Sequence, residues 1–249
     1  MIVSYHRIAN HPTCCHLDVF ENQVKLAKKI GAILTFDDGL KEHYTVALPI
    51  LQKYGVTGHF FVITNSDKQV VASHKIWLLL GQSKDLIKHF NIGGEKFLNP
   101  VWYQYDDPKI ANLKFYLNTH REELDEIFHE KFDEQEQIEK LYMNWDEITM
   151  LHAAGMNIGC HTHTHPILSL LSDEEQENEI RISTEIISRR TEKPFAFAYP
   201  LNGYNNATLR LLKKYGYWWA MTSEPVDLLR LGRVDTNEFR VQASRRRRL

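Results

Sequence analysis

The chain reads as an α/β protein whose parallel strands are wrapped by helices, in an open sheet or a barrel. Three observations carry this. Short, almost wholly apolar runs, the mark of strands buried on both faces, alternate with segments of helical spacing. The alternation stops between about residues 66 and 142, where a polar, helix-prone stretch intervenes, and then resumes. A length of 249 residues, 43% hydrophobic and 25% charged, suffices for one sizeable domain but not for two full-sized ones joined by a linker.

Ile2-Val3-Ser4-Tyr5 is the first expected strand and Ala32-Ile33-Leu34-Thr35-Phe36 the second. Ala47, Ile50, Leu51 and Tyr54 then fall on one helical face, with Pro49 in the first turn, where a missing N–H costs little, and Gly55 placed to cap the end. His59 to Ile63 is a third strand. After the interruption come a strand at Met156 to Cys160 and a helix from Ser172, which stands in capping-box spacing with Glu175. A strand at Phe195 to Tyr199 follows. A helix with Thr208, Leu211, Leu212 and Tyr215 on one face ends at Gly216, and a strand runs from Tyr217 to Met221. The Trp218-Trp219 pair is expected in the core. Within 66–142, Glu122 to Phe128 and Lys131 to Lys140 read as amphipathic helix, and the whole stretch as an insertion on the rim of a single 1–249 domain. Trp102, Tyr103 and Tyr105 would pack a lid or stack on a sugar. Arg245 to Arg248 make a short basic tail (245–249), read as a solvated end in preference to an anionic-membrane contact.

Composition excludes several classes of function. With 30 basic and 32 acidic side chains the formal net charge is −2, so a nucleic-acid partner is not expected. No apolar run approaches the ~20 residues of a membrane span. Met1 to Arg7 lacks the basic and apolar regions of an export signal, and Cys14, Cys15 and Cys160 form no disulfide framework. The expected compartment is the cytoplasm, with the inner-membrane periphery as the variant.

Polar residues stand at the ends of four expected strands: His6, Asp37-Asp38, His161 and, as a turn former, Pro200. In a parallel barrel the C-terminal strand ends are where active sites form. Adjacent carboxylates fit a plain Asp-Asp-Gly turn, but they repel, and a cation would relieve the repulsion. His161-Thr162-His163-Thr164-His165 supplies imidazoles. His161 and His163 would share a face if extended, as in the amidohydrolases, but those enzymes need later histidines and none follows His165. In a helical turn His161 and His165 share a face, and with Asp38 they make a two-His, one-carboxylate site suited to Zn²⁺ or a similar divalent ion. His163 then points away and either supports the ligands from behind or is structural, and Cys160 is a buried small residue.

Leu34-Thr35-Phe36-Asp37-Asp38-Gly39, His161 to Pro166, and Phe197-Ala198-Tyr199-Pro200-Leu201-Asn202-Gly203-Tyr204-Asn205 resemble, in order, the first three motifs of the polysaccharide deacetylases, the carbohydrate esterase 4 enzymes with a NodB-homology domain. The resemblance covers roughly residues 1–65 and 140–240. It implies a distorted (β/α) barrel of about seven strands. It also implies Asp38, His161 and His165 as metal ligands, Asp37 as general base, and Tyr199, Pro200 and Tyr204 along the substrate groove, with a backbone N–H near Tyr204 at the oxyanion. Zn²⁺ is the expected ion, with Co²⁺, Ni²⁺, Mn²⁺ or Fe²⁺ as alternatives. Three departures stand out. Ala198 replaces an arginine that orients the catalytic aspartate in many members. Asn202 takes a glycine position, tolerable in a left-handed backbone. The C-terminal Leu-x-His that supplies a general acid is missing. A permuted branch carries that histidine on an N-terminal strand, which Tyr5-His6-Arg7 resembles, making His6 the candidate acid.

The activity so implied is metal-dependent hydrolysis of an amide, removing an N-acyl group, foremost N-acetyl, from an amino sugar, a glycan precursor or a nucleotide- or lipid-linked intermediate. A sugar N-deformylase is the nearest alternative, and a catalytically silent carbohydrate-binding protein on the same barrel the alternative from another class. A helical insertion of this kind can also serve as a homodimer surface.

Overall fold

The computed structural model describes residues 1–8, 15–82, 108–222 and 226–235. Trp102, Tyr103, Tyr105, Cys14 and the basic tail lie outside the described residues. Two compact units are present, one formed by Met1–Asp67 with Leu141–Leu249, the other by Lys68–Lys140.

The first unit is built on strands β1 (Ile2–Tyr5), β2 (Ile33–Phe36), β3 (Gly58–Val62), β4 (Asn157–Cys160), β5 (Ala196–Ala198), β6 (Trp219–Thr222), β7 (Leu231–Gly232) and β8 (Val234–Asp235). Every pairing is parallel, in the order β7-β6-β5-β4-β3-β2-β1-β8. β7 and β8 are halves of one segment broken only at Arg233; the first half pairs with β6 and the second with β1. That split strand nearly closes the sheet, so seven strand positions form a distorted barrel.

Side chains alternate between the two faces. Val3, Tyr5, Leu34, Phe36, Phe60, Val62, Ile158, Cys160 and Phe197 face the surrounding helices and make the larger core. Phe61, Ala196, Ala198 and Met221 fill the interior, with Ile2, Phe195, Trp219 and Leu231 packed against them. Phe61 fits because Gly159 lies beside it: a Cβ there would meet Phe61 Cδ1 at 2.5 Å and the Ala196 carbonyl at 3.1 Å. The same alternation corrects the expectation for the tryptophan pair. Neighbouring strand residues face opposite ways, so Trp219 packs inward while Trp218 is 70% exposed.

Helices α1 (Leu17–Ile30) and α2 (Leu48–Tyr54) end at left-handed Gly31 and Gly55. A π-helical turn, His43–Ala47, precedes α2. Downstream, α7 (Trp145–Ala153), α8 (Asp173–Arg190) and α9 (Asn206–Tyr215) each start with a capping box; that of α8 pairs Ser172 with Glu175, and Gly216 caps α9.

The second unit is helical: α3 (Ala72–Gln82), α4 (Pro108–Thr119), α5 (Arg121–His129) and α6 (Glu134–Leu141). Ile76, Leu79, Leu113, Leu117, Leu124, Phe128 and Ile138 are its buried apolar residues. α6 starts later than the pattern from Lys131 suggests, because the Asp133 carboxylate accepts the Glu136 N–H at 2.7 Å and fixes the first turn there. Among the described residues no helix is long and apolar enough to cross a membrane.

Candidate active site

Strand parity delivers the first residues of the site. Phe36 and Cys160 face outward, so Asp37 and His161, one step on, turn toward the barrel mouth. The ladder continues through both, with Asp37 N–H donating to the Tyr5 carbonyl at 2.9 Å and His161 N–H to Val62 at 3.0 Å. The Asp-Asp-Gly segment is no exposed turn: Asp37 is 1% and Asp38 5% exposed.

Asp38, Thr162, His165, Leu201 and Asn202 are the five non-glycine residues with positive φ among those described, and all lie in loops after β2, β4 or β5. Left-handed backbone costs a side-chain-bearing residue on the order of 1–3 kcal/mol and persists only where the surroundings over-determine it. Asn202, at φ 56°, occupies the glycine position as expected, and Leu201 beside it at φ 50° was not anticipated.

Asp38, His161 and His165 come together, with one ligand atom from each lying within 4.8 Å of the others, all three residues buried. The Asp38 Oδ1 atom is 3.3 Å from His161 Nε2 and 3.5 Å from His165 Nε2. Atoms ~2.1 Å from a tetrahedral ion sit roughly 3.4 Å apart, so the two distances from Asp38 suit a shared cation. His161 Nδ1 lies 2.8 Å from the Ala198 carbonyl. Donating its proton there leaves the Nε2 lone pair facing a carboxylate oxygen, an arrangement that needs a positive charge between the two. Burial pushes the His161 imidazole down, but the hydrogen bond to Asp38 and the charges of Asp37 and Asp38 outweigh it and raise its affinity for a proton. The donor set of two imidazoles and one carboxylate therefore fits a divalent ion.

The histidines do not converge through a helical turn, as the spacing suggested. Residues 161–165 form an irregular loop in which Thr162 Oγ1 donates to the His161 carbonyl at 2.6 Å and accepts the His165 N–H at 3.0 Å. The left-handed Thr162 and His165 fold the two rings to a centroid separation of 4.8 Å. His163 turns to Thr64, Nδ1 to Oγ1 at 2.9 Å.

Asp37 is held from two sides. Arg233 Nη1 donates to Oδ1 at 2.6 Å, and His6 Nε2 lies 3.6 Å from Oδ2. Burial would push the Asp37 carboxyl up; the Arg233 guanidinium, with His161 and His6, holds it below the usual carboxylate range. Arg233, in the break between β7 and β8, was missed from the sequence; the signal was Ala198, which left a buried aspartate without its cation. His6 is on the open side, its side chain 51% exposed. Its carbonyl bonds Nε2 of fully buried His43 at 2.7 Å, and His43 Nδ1 accepts the Leu40 N–H at 3.2 Å. One imidazole thus ties the end of β1 to the loop after Asp38.

Pro200 opens a short 3₁₀ turn, Pro200–Asn202. Tyr199 is buried and its hydroxyl donates to the Leu229 carbonyl at 2.7 Å, so it supports the loop from behind. Its ring stacks on half-buried Tyr204 at 4.6 Å.

Comparison with known proteins adds a family to this fold. The sequence pattern of the polysaccharide deacetylase family matches residues 25–219, a span holding Asp37, Asp38, His161 and His165 but neither His6 nor Arg233. YxkH of Bacillus subtilis (strain 168), a relative named for the same family, is 22% identical over 194 residues, 78% of this chain and 44% of that protein; the chain spans less than half the length of that relative. Among solved structures, the deacetylase PplD of Streptococcus pyogenes in complex with acetate superposes with a TM-score of 0.61 at 19% identity, over 94% of this chain and 90% of that one. IcaB from Ammonifex degensii gives 0.60 at 18% identity, also over 94% and 90%. With the barrel, the motif order and a match across most of its length, the chain belongs to the polysaccharide deacetylase family.

Proposed function

We propose that the protein is a metal-dependent hydrolase that removes an N-acetyl group from an amino sugar, in a glycan or in a nucleotide- or lipid-linked precursor, within a reducing compartment. The observation that carries this is a buried Asp38-His161-His165 cluster next to an aspartate, Asp37, held by a guanidinium and not part of that cluster. Zn²⁺ is the ion the two imidazoles and one carboxylate suit best, and bound there it would supply Lewis acidity to the acyl carbonyl and a more acidic water. Arg233 occupies Asp37 Oδ1, so Oδ2 is the oxygen left to take the proton of the attacking water. His6, on the exposed side of that oxygen, is assigned the role of protonating the departing amine. Pro200 and Tyr204 are assigned to the substrate groove, with a backbone N–H near Tyr204 for the oxyanion. A silent binding protein is disfavoured, since the gap left by Ala198 is filled by Arg233.

The test is release of acid from N-acetyl- and N-formyl-glucosamine oligomers, run side by side on chelator-stripped protein with and without added Zn²⁺, Co²⁺, Ni²⁺, Mn²⁺ or Fe²⁺. Metal-restored acetate release is expected. Faster formate release would move the assignment to a deformylase, and sugar binding without release under every metal would contradict it.

A further inference from the structure

The loop carrying the two candidate imidazoles adopts a shape its residues resist. Thr162 and His165 sit at φ 66° and 59° with no glycine to ease them, and threonine, β-branched, is among the residues least suited to that region. On one side the loop is held by the residues after β3: Thr64 N–H donates to the Thr162 carbonyl at 3.2 Å and Asn65 N–H to the His163 carbonyl at 3.0 Å.

The other side is held by one residue of α8. Glu179 Oε2 accepts the backbone N–H of His163 and that of Thr164, both at 2.8 Å, and Oε1 accepts the Thr164 hydroxyl at 2.7 Å. Three donors from two consecutive loop residues converge on one carboxylate, and such charge-assisted bonds are stronger and more directional than neutral ones. These two residues lie between the ligand histidines.

We propose that Glu179 is a positioning residue of the candidate metal site, which sets the His161–His165 separation by fixing the backbone between them. This rests on the metal-site reading above. Glu179 acts through the hydrogen bonds it accepts from the loop. Groups hydrogen-bonded directly to metal ligands are typically worth 10–100-fold in metal affinity, and a group that fixes the backbone between two ligands is expected at the lower end of that range.

The measurement is the Zn²⁺ Kd of chelator-stripped full-length protein, by competition with a chromogenic chelator, alongside the metal-free melting temperature. Glu179→Ala is expected to raise Kd at least tenfold. Glu179→Gln, which keeps an oxygen for the two N–H groups and an amide N–H₂ that the Thr164 hydroxyl can accept from, should stay within about threefold, because each bond is weakened but none need be lost. Thr164→Val removes one hydroxyl and should fall between them, and it keeps the test open if Glu179→Ala does not fold. A wild-type Kd in Glu179→Ala or in Thr164→Val overturns the proposal, as does a Gln variant as weak as the Ala variant. A parent protein without Zn²⁺ affinity overturns the metal-site reading itself, a separate outcome from a parent that binds and variants that match it.

Discussion

Two clusters of buried charge in this chain use the same kinds of side chain to different ends. In the helical unit, the Lys75 ammonium is met at 2.8 Å by Asp125 and at 2.8 Å by Glu134, and it lies 5.0 Å from the Phe128 ring centroid. The lysine side chain is 4% exposed, while Asp125 keeps 48% of its surface in water. Opposite charges satisfy each other there, and the backbone around them is ordinary helix. At the barrel mouth, Asp38 faces two imidazole nitrogens at 3.3 and 3.5 Å, too far for strong hydrogen bonds, and the members are held by groups outside the trio: the Ala198 carbonyl on His161 and a strained loop under His165. A cluster that completes itself stabilises a fold; one whose geometry is imposed from outside is arranged to hold something else.

Asp37→Asn should have the largest effect on turnover. Losing a general base costs typically 10²–10⁴-fold in kcat, with metal affinity retained, whereas a near-normal rate would remove Asp37 from that role. Arg233→Ala comes next: with Oδ1 released, kcat is expected to fall on the order of 10–100-fold with KM and metal content little changed, as for the loss of one orienting contact. Partial recovery on adding guanidine would tie the loss to the missing cation.

In the helical unit the prediction reverses. Lys75→Ala leaves two carboxylates that still reach water, so the cost is about 2 kcal/mol of local stability, short of the penalty for a wholly buried unpaired charge. Hydrogen exchange of α3 and α5 amides would report it, while Zn²⁺ Kd should not move; a changed Kd would break the contrast between the clusters. The smallest effect is that of pH. Burial pushes the Glu134 carboxyl up, but hydrogen bonds from Lys75, His129 and the Val70 N–H hold it below its ordinary 4.5. The stability this adds is present above that value and lost as pH falls below it, so acid should lower the protection of α5 and α6 amides relative to their intrinsic exchange rates, and Glu134→Gln should flatten the dependence.

Much of the barrel is legible in the sequence because buried parallel strands are short apolar runs and most helices between them carry caps. α1 has Phe20, Val24 and Ala27 at helical spacing and is equally legible, though a reading led by strands passes over it. The closing segment is another matter. Two-residue strands carry no period, and β7 and β8 acquire partners only once β6 and β1 have come round to flank the gap they fill. Arg233 is hidden for the same reason, contacting Asp37 across 196 residues. Asp37, Asp38, His161 and His165 could be found from their order at strand ends. The loop bringing His161 to His165 could not, because its left-handed turns fall at Thr162 and His165, where no glycine advertises them.

The most direct test of the central claim is equilibrium Zn²⁺ binding to chelator-stripped protein, by calorimetry and by metal analysis after desalting, in the parent, Asp38→Asn, His161→Ala, His165→Ala and His163→Ala. One ion per chain is expected in the parent and in His163→Ala, with binding lost or weakened at least a hundredfold in the other three. Full occupancy in Asp38→Asn or in either ligand-histidine variant would contradict the account.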